Sequence, residues 1–340
     1  MPNNDLKQLL NEYEQKRNKA ISEAQDRKKE MYDKNPRLQE IDDELNNLAF
    51  RTARDVLKTS NTTLLEELKQ KKQMLLSEKE EILSRLKIDN SYFNPHFECE
   101  KCQDTGYITN NYNTVMCNCL KQRLFDLKYN TYNTYDIRNH SFDSFSTSLY
   151  SDKIDKEKYH FNISPRDNME NIKKIAQKFI NNFDNPDEKN LLFTGNTGLG
   201  KTFLSQCIAN ELLKKNKTVL YQTAPIMINS IIDYRMGKKT SFDLLNNILN
   251  VDLLVIDDLG TEGMNSMKFS ELFSVLNSRL LNQKDHITKT IISTNLSLNN
   301  LAEMYGERII SRLVGSYNIC VFFGDDIRRK KAIQSKQGGN

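Results

Sequence analysis

The residues with the clearest chemical meaning lie at 195–202 and read GNTGLGKT. They match the pattern G-x-x-x-x-G-K-[ST], in which glycines let the backbone wrap phosphate groups, while N–H groups and a helix start supply positive charge. The lysine reaches the outer phosphates, and the hydroxyl helps to hold Mg²⁺. The stretch therefore predicts a nucleotide-binding loop. Its predicted binding residues are Gly195, Asn196, Thr197, Gly198, Leu199, Gly200, Lys201 and Thr202.

Nucleotide hydrolysis also needs acidic and polar residues beside the phosphates. Asp257 ends the apolar run 253–256, and ligands gather at the carboxyl ends of parallel strands, so we expect Asp257 to anchor the magnesium ion. Asp258 is then placed to polarise the attacking water, with Glu262 as the competing candidate. Asn295 follows a third predicted strand, KTIIST, and is predicted to orient the same water. The alternative for each residue is a cap at a strand end.

Four cysteines are crowded into residues 99–119. Cys99 and Cys102 are separated by two residues, and Cys117 and Cys119 follow after fourteen more. This spacing can bring four thiolates to one tetrahedral ion, and zinc is the ion that such a set favours. An iron–sulfur cluster or four unliganded thiols are the alternatives, and His96 is a spare ligand. Four protein ligands leave no open coordination position, so we expect a structural site.

The elements that must position the nucleotide site are predicted on both sides of the loop. An apolar run at 190–194 precedes it and a helical pattern at 203–215 follows it. With the runs 253–256 and 289–294, this order predicts an α/β domain with a parallel sheet flanked by helices. We place this domain at 165–340.

The amino-terminal part is predicted to be helical. Residues 1–90 contain no glycine, and apolar residues recur at alternating spacings of three and four, as at Leu38, Ile41, Leu45 and Leu48. Such a narrow apolar seam fits either a self-contained helical hairpin or a surface that a partner completes. With the cysteines it forms a predicted domain at 1–125. Residues 126–164, rich in Asn, Ser, Asp and Tyr, are predicted to be a linker.

Composition narrows the class of protein. A length of 340 residues suits two folding units, and a net charge of +4 is compatible with nucleic-acid contact without requiring it. No apolar run approaches the roughly 20 residues of a membrane span, and the first residues lack the pattern of a signal peptide. We therefore expect a cytoplasmic protein without membrane contact, in which the cysteines stay reduced.

In these motifs the chain resembles AAA+ ATPases and, more narrowly, the DnaC/DnaI family of bacterial replicative helicase loaders. The resemblance covers about residues 165–335, and the cysteine cluster is similar to the DnaI-type amino-terminal domain. The segments that carry it, besides the phosphate loop, are LLVIDDLGTE at 253–262, IISTNL at 291–296, ERIISRL at 307–313 and DDIRRK at 325–330. It implies an AAA+ core with little or no helical lid.

The resemblance also implies roles for three arginines. Arg312 would be the arginine finger that reaches a neighbour's nucleotide, with Arg308 on the same helix face as its rival, and Arg328 would be the second sensor arginine. Many AAA+ proteins have Glu where this chain has Asp258, and the shorter carboxylate implies slow hydrolysis or a base role for Glu262. The ATPase activity would depend on self-assembly, on the helicase or on single-stranded DNA.

The family's function implies the partners. The chain would load a DnaB-type helicase onto single-stranded DNA at the initiation of replication, with the amino-terminal domain on the helicase and the ATPase domains in a ring or spiral, hexameric with the helicase. Arg235, Lys238 and Lys239 form a cationic cluster that could touch this DNA or simply be solvated.

Two other functions fit parts of the sequence. A transposase-assisting ATPase of the IstB type shares the core and binds duplex DNA, but that family ordinarily has no zinc domain. A non-catalytic adaptor could use ATP as a structural switch. Intact Lys201, Asp257, Asn295 and Arg312 weigh against the adaptor.

Overall fold

The computed structural model describes residues 4–58, 62–110, 113–128, 137–237, 242–263, 266–281 and 286–329. The chain divides into two compact units, Met1–Cys117 and Asn118–Asn340. The division falls at Cys117, whereas the sequence placed it at 125. Of the segment 126–164, predicted to be a linker, the described residues 126–128 and 137–164 fall in the second unit in this division.

The first unit begins with three helices. They are α1 (Asn4–Lys34), α2 (Pro36–Lys58) and α3 (Thr62–Arg85). Ile41 and Leu48 of α2 are buried against Leu75 of α3, and Leu45 packs beside them. The predicted apolar seam is therefore covered at these positions within the unit itself, as in the self-contained hairpin.

A short hairpin closes the first unit. Strands β1 (Tyr107–Asn110) and β2 (Asn113–Met116) pair antiparallel, with Tyr107 opposite Met116. Ahead of them, Asp104 is buried and its carboxylate accepts hydrogen bonds from the backbone N–H groups of Glu98 and Cys99, both at 2.9 Å. The turn that holds the first two cysteines is thereby fixed by local hydrogen bonds.

The second unit is built on a five-stranded parallel sheet with the order β4-β5-β6-β3-β7. Its strands are β3 (Asn190–Thr194), β4 (Val219–Thr223), β5 (Leu253–Leu259), β6 (Lys289–Thr294) and β7 (Tyr317–Val321). Every residue of β3 and β6 is buried, because helices cover both faces of a parallel sheet. The predicted α/β class is confirmed.

The described helices of the second unit lie before, between and after these strands in the sequence. They are α4 (Asn118–Lys128), α5 (Lys156–Tyr159), α6 (Pro165–Asn181), α7 (Lys201–Lys214), α8 (Ala224–Arg235), α9 (Phe242–Asn250), α10 (Ser266–Leu281), α11 (Leu298–Tyr305) and α12 (Glu307–Ser316). One face carries α6 and α7, and the other carries α8, α10 and α12. Across the described part of the chain, the helices are too short or too polar to cross a bilayer.

The segment predicted to be a linker contributes to this core. Ile137, Phe145 and Tyr150 are buried in the same apolar cluster as α6 and α7. Their spacing follows neither helical nor strand periodicity, because the part between residues 139 and 155 is irregular apart from the 3-10 turn Thr147–Leu149. The second unit therefore includes residues ahead of the predicted start at 165.

Candidate nucleotide-binding site

The phosphate loop connects β3 to α7 at the carboxyl edge of the sheet. Gly195 has a φ of 139°, and a Cβ there would lie 2.0 Å from the carbonyl oxygen of Phe322. Gly198, at a φ of 74°, would place a Cβ 2.1 Å from the carboxylate of Asp326. At Gly195 both the backbone conformation and the backbone of Phe322 disfavour any other residue, and at Gly198 the positive φ favours glycine. The predicted strand–loop–helix arrangement is confirmed.

Lys201 points its ammonium group back into the loop. Its Nζ donates hydrogen bonds to the carbonyl oxygens of Gly195 at 2.6 Å and Asn196 at 2.8 Å, and to Oδ1 of Asn295 at 2.7 Å. Burial lowers the pKa of Lys201 to about 8, although the charges of Asp258 and Asp257 oppose this shift. The structure therefore brings the loop lysine and the residue after β6 into direct contact.

Thr202 and Asp257 form a second contact, between the start of α7 and strand β5. Oγ1 of Thr202 lies 3.4 Å from Oδ1 of Asp257. The hydroxyl of Ser293 also donates to this carboxylate, and that of Tyr221 donates to its other oxygen at 3.1 Å. Hydroxyl and carboxylate oxygens are the donors that Mg²⁺ prefers, so the Thr202–Asp257 pair fits the predicted magnesium site.

The two candidate bases occupy different environments. Asp258 lines the cavity beside the loop, with a backbone φ of 55° in the left-handed region that Asp tolerates better than most residues. Burial, and then the charge of Asp257, raise the pKa of Asp258. Glu262 is 3% exposed, accepts hydrogen bonds from the hydroxyl of Tyr305 and from the N–H of Gly260 at 3.1 Å, and does not line this cavity.

A cavity of about 880 Å³ lies beside the loop. Thr197 to Thr202, Asp258, Thr261 and Asn295 form one part of its wall. The sequence analysis missed the other part, which comes from the segment before α6. These additional lining residues are His140, Ser144, Phe145, Ser146, Leu149 and Tyr150. No sequence pattern marked them, because an irregular segment carries no periodicity.

The three arginines lie in different places. Arg328 is exposed and lines the cavity. Arg312 is outside it, and its guanidinium donates to Oδ1 of Asn277 at 2.8 and 3.0 Å and lies 4.3 Å from the ring centre of Phe273. Arg308, one turn earlier on α12, is exposed. Neither Arg308 nor Arg312 lines the cavity of its own chain.

The four cysteines meet in space. Their Sγ atoms all lie within 4.8 Å of one another, and those of Cys99 and Cys117 are 3.8 Å apart. A tetrahedral zinc with Zn–S bonds of about 2.3 Å would separate its sulfur ligands by about 3.8 Å. His96 is exposed and is not part of this group. The thiols therefore fit a zinc ion without a histidine ligand.

The cationic cluster is described only in part. Arg235, at the end of α8, pairs with Glu271 at 3.3 Å. Lys238 and Lys239 lie outside the described residues.

A comparison with known protein families identifies the family of the domain that contains this site. The family model of the IstB-like ATP binding protein matches residues 138–335, which is more than half of the chain. The chain belongs to the IstB-like ATP-binding proteins. The match begins at residue 138 and so includes the irregular segment that closes the cavity.

The relatives of this IstB-like protein include a helicase loader and an insertion sequence protein. The replicative helicase loader DnaC of Escherichia coli (strain K12) is 29% identical over 157 residues, which are 46% of this chain and 62% of that protein. A Sinorhizobium fredii protein, provisionally named insertion sequence ATP-binding protein y4pL, is 26% identical over 151 residues, or 43% of this chain and 59% of its own. The predicted similarity to DnaC-type loaders is confirmed.

A solved structure shares part of the chain. The crystal structure of the DnaC helicase loader is 25% identical, with a TM-score of 0.41 over 46% of this chain and 90% of that one. The chain thus spans less than two thirds of the length of the curated relatives it matches, and the similarity lies in part of the chain.

Proposed function

We propose that this protein is an ATP-dependent loader of a DnaB-type replicative helicase, which it delivers to single-stranded DNA at the initiation of replication. The observation that carries the proposal is the 29% identity to a helicase loader, in a chain whose ATP site follows a four-thiol cluster. An IstB-type transposition ATPase ordinarily lacks such a cluster, so the cluster favours the loader.

ATP hydrolysis is proposed to use the residues that meet at the carboxyl edge of the sheet. Lys201 binds the outer phosphates, and Thr202 and Asp257 hold Mg²⁺, which supplies charge neutralisation on the phosphate oxygens when bound. Oδ1 of Asn295 accepts a hydrogen bond from Lys201 at 2.7 Å. The amide nitrogen of Asn295 is then the group proposed to donate a hydrogen bond to the water and orient it.

Asp258 is proposed to be the general base. It lines the cavity, and its raised pKa makes it a stronger proton acceptor than an ordinary carboxylate. Glu262 has both carboxylate oxygens occupied by Gly260 and Tyr305, which supports a structural role for this rival.

Two arginines are proposed to act on different nucleotides, one bound to the same copy of the chain and one bound to a neighbouring copy. Arg328 lines its own cavity, so we propose that it senses the nucleotide in cis. Arg312 lies outside the cavity and is held by Asn277 and Phe273, which supports a role as a finger for a neighbouring copy. An activity that needs Arg312 in trans requires self-association into a ring or spiral.

The zinc-binding part is proposed to bind the helicase. The four thiols fit a closed zinc site that can fold a small unit but leaves no position for catalysis. Such a site can stabilise a surface for a protein partner.

The deciding experiment measures association with the host's replicative helicase. The full-length protein is mixed with the DnaB-type helicase with ATP, with ADP and without nucleotide, and the mass of the complex is measured by light scattering. The loader assignment predicts a defined complex. No association under any nucleotide condition would contradict it.

A transposition ATPase is the second candidate, because the chain matches the IstB-like family and resembles y4pL. Such a protein would bind duplex DNA and would not bind the helicase. A fluorescence anisotropy titration with duplex and single-stranded oligonucleotides of equal length separates the two functions, since the loader is expected to prefer the single strand.

A further inference from the structure

The phosphate loop is contacted by a tyrosine from the irregular segment before α6. The hydroxyl of Tyr150 donates a hydrogen bond to the carbonyl oxygen of Leu199 at 2.8 Å. The hydroxyl oxygen of Tyr150 also lies 2.8 Å from the point where a Cβ on Gly200 would stand. Tyr150 is 3% exposed, so little water competes for this bond.

The backbone around Tyr150 is fixed by its own contacts. The N–H of Tyr150 donates to the carbonyl of Thr147 at 3.1 Å. Arg166, in the first turn of α6, donates from its backbone N–H to Ser151 at 2.9 Å and from Nε to the carbonyl of Tyr150 at 3.3 Å. The phenol therefore approaches the loop from an anchored position.

The bond acts on the peptide that begins α7. The carbonyl of Leu199 and the N–H of Gly200 belong to one planar trans peptide, so they point in opposite directions. Fixing the carbonyl towards Tyr150 thereby fixes the N–H of Gly200 away from it. Gly200 is the N-cap residue of α7, and N–H groups at a helix start are the donors that bind phosphate.

We propose that Tyr150 is a positioning residue for ATP binding, whose hydroxyl holds the Leu199–Gly200 peptide so that its N–H faces the phosphates. This inference rests on ATP binding by the IstB-like domain and is independent of the loader function. Burial raises the pKa of the phenol, so the hydroxyl remains a donor throughout the neutral range.

The test replaces only the hydroxyl, in the full-length chain. Tyr150→Phe keeps the buried ring, and the loss of one neutral hydrogen bond is expected to weaken ATP and ADP binding about fivefold. Dissociation constants for ATP, ADP and adenosine are measured by calorimetry, with circular dichroism to check the fold. Adenosine affinity should not change, because adenosine has no phosphate for the loop to bind.

Tyr317→Phe is the matched control. Tyr317 is also buried and hydrogen-bonded, to Thr290, but it begins β7 beside Asn190, at the end of the sheet opposite the loop. This variant should bind ATP as the wild type does. The proposal is overturned if Tyr150→Phe binds ATP normally, if it loses adenosine affinity equally, or if Tyr317→Phe shows the same loss. Absence of ATP binding by the wild type would instead contradict the family assignment.

Discussion

Oγ1 of Thr202 lies 3.4 Å from Oδ1 of Asp257, although 55 positions separate the two residues in the sequence. An octahedral Mg²⁺ with bonds of about 2.1 Å holds adjacent ligand oxygens about 3 Å apart. The pair is therefore arranged so that one magnesium ion could contact both side chains with a small adjustment. This contact joins the start of α7 to the edge of the sheet where β5 ends.

Replacing Asp257 should remove the effect of magnesium on ATP binding. In Asp257→Asn the carboxylate charge is lost while the phosphate loop remains, so ATP is expected to bind with the same affinity with and without Mg²⁺. Calorimetric titrations in Mg²⁺ and in EDTA give the two constants, with the wild type as reference. A magnesium dependence equal to that of the wild type would show that Asp257 is not the anchor.

Asp258 and Glu262 should respond differently to loss of charge. Asp258→Asn removes the proposed base, and kcat for ATP hydrolysis is expected to fall by about 10² to 10⁴ with ATP affinity retained. Glu262→Gln alters a buried carboxylate bound by Tyr305, so it should lower the free energy of unfolding by about 1–3 kcal/mol while leaving kcat near the wild-type value. Phosphate-release assays and chemical denaturation measure the two effects. The opposite pattern would transfer the base role to Glu262.

The lowered pKa of Lys201 predicts a pH dependence of ATP binding. In the free protein this pKa is about 8, because burial disfavours the charged ammonium, and bound phosphates should raise it again. Below pH 8 the lysine is already charged and affinity should be constant. Above pH 8 binding takes up a proton, so the dissociation constant should rise by up to about tenfold per pH unit.

The lowered pKa of Lys201 also predicts how the free energy of unfolding of the nucleotide-free protein changes with pH. The unfolded chain has the ordinary lysine pKa of about 10.4 and binds more protons than the folded one between about pH 8 and that value, so this group's contribution to stability rises with pH in that window. Lys201→Arg is the control for both measurements, since a guanidinium stays charged throughout. An affinity that is flat from pH 7 to pH 9.5 in the wild type would contradict the prediction.

Arg312 should act only on a neighbouring copy. Arg312→Ala is expected to bind ATP normally but to lose the assembly-stimulated part of the activity, which for such fingers is worth about 10³ to 10⁵ in rate. Arg308→Ala, one turn earlier, is the control and should retain it. Mixing Arg312→Ala with Lys201→Ala should restore activity, because one variant supplies the site and the other the arginine. No recovery in the mixture would contradict action in trans.

Zinc removal should separate the two parts of the chain functionally. Cys102→Ser, or treatment with a strong chelator, is expected to abolish helicase association while ATP affinity is preserved. Cys320→Ala, at a buried cysteine of β7 outside the cluster, is the control. Metal analysis should find one zinc per wild-type chain. Equal loss of ATP and helicase binding would show that the parts are not independent.

Much of the fold and site could be predicted from the sequence because the relevant patterns are local. Gly195 and Gly200, the two glycines of the phosphate-loop motif, both have a positive φ that favours glycine, so the backbone requirement appears in the sequence as a fixed spacing. The buried strands β3 and β5 contain the apolar runs 191–193 and 253–256, and polar residues that follow such runs mark the ligand edge. The cysteine spacing similarly predicted a group that the structure brings together.

Other features depended on contacts between distant segments. The sequence predicted Asp258 as the base with Glu262 as its competitor. The structure distinguishes them, because Asp258 lines the cavity and Glu262 accepts hydrogen bonds from Tyr305 and Gly260. Arg308 and Arg312 share a helix face, but only Arg312 is held by Asn277. Such differences arise from neighbours that lie far away along the chain.

The sequence by itself determined the class of chemistry, because binding phosphate and thiolate-bound metal requires particular residues at fixed short spacings. Only the tertiary structure decided that an irregular, polar segment closes the cavity and places Tyr150 on the phosphate loop. The physical reason is that a segment without periodic secondary structure takes its conformation from what it packs against. The contacts of such a segment, and so its role, can therefore be identified only from the folded structure.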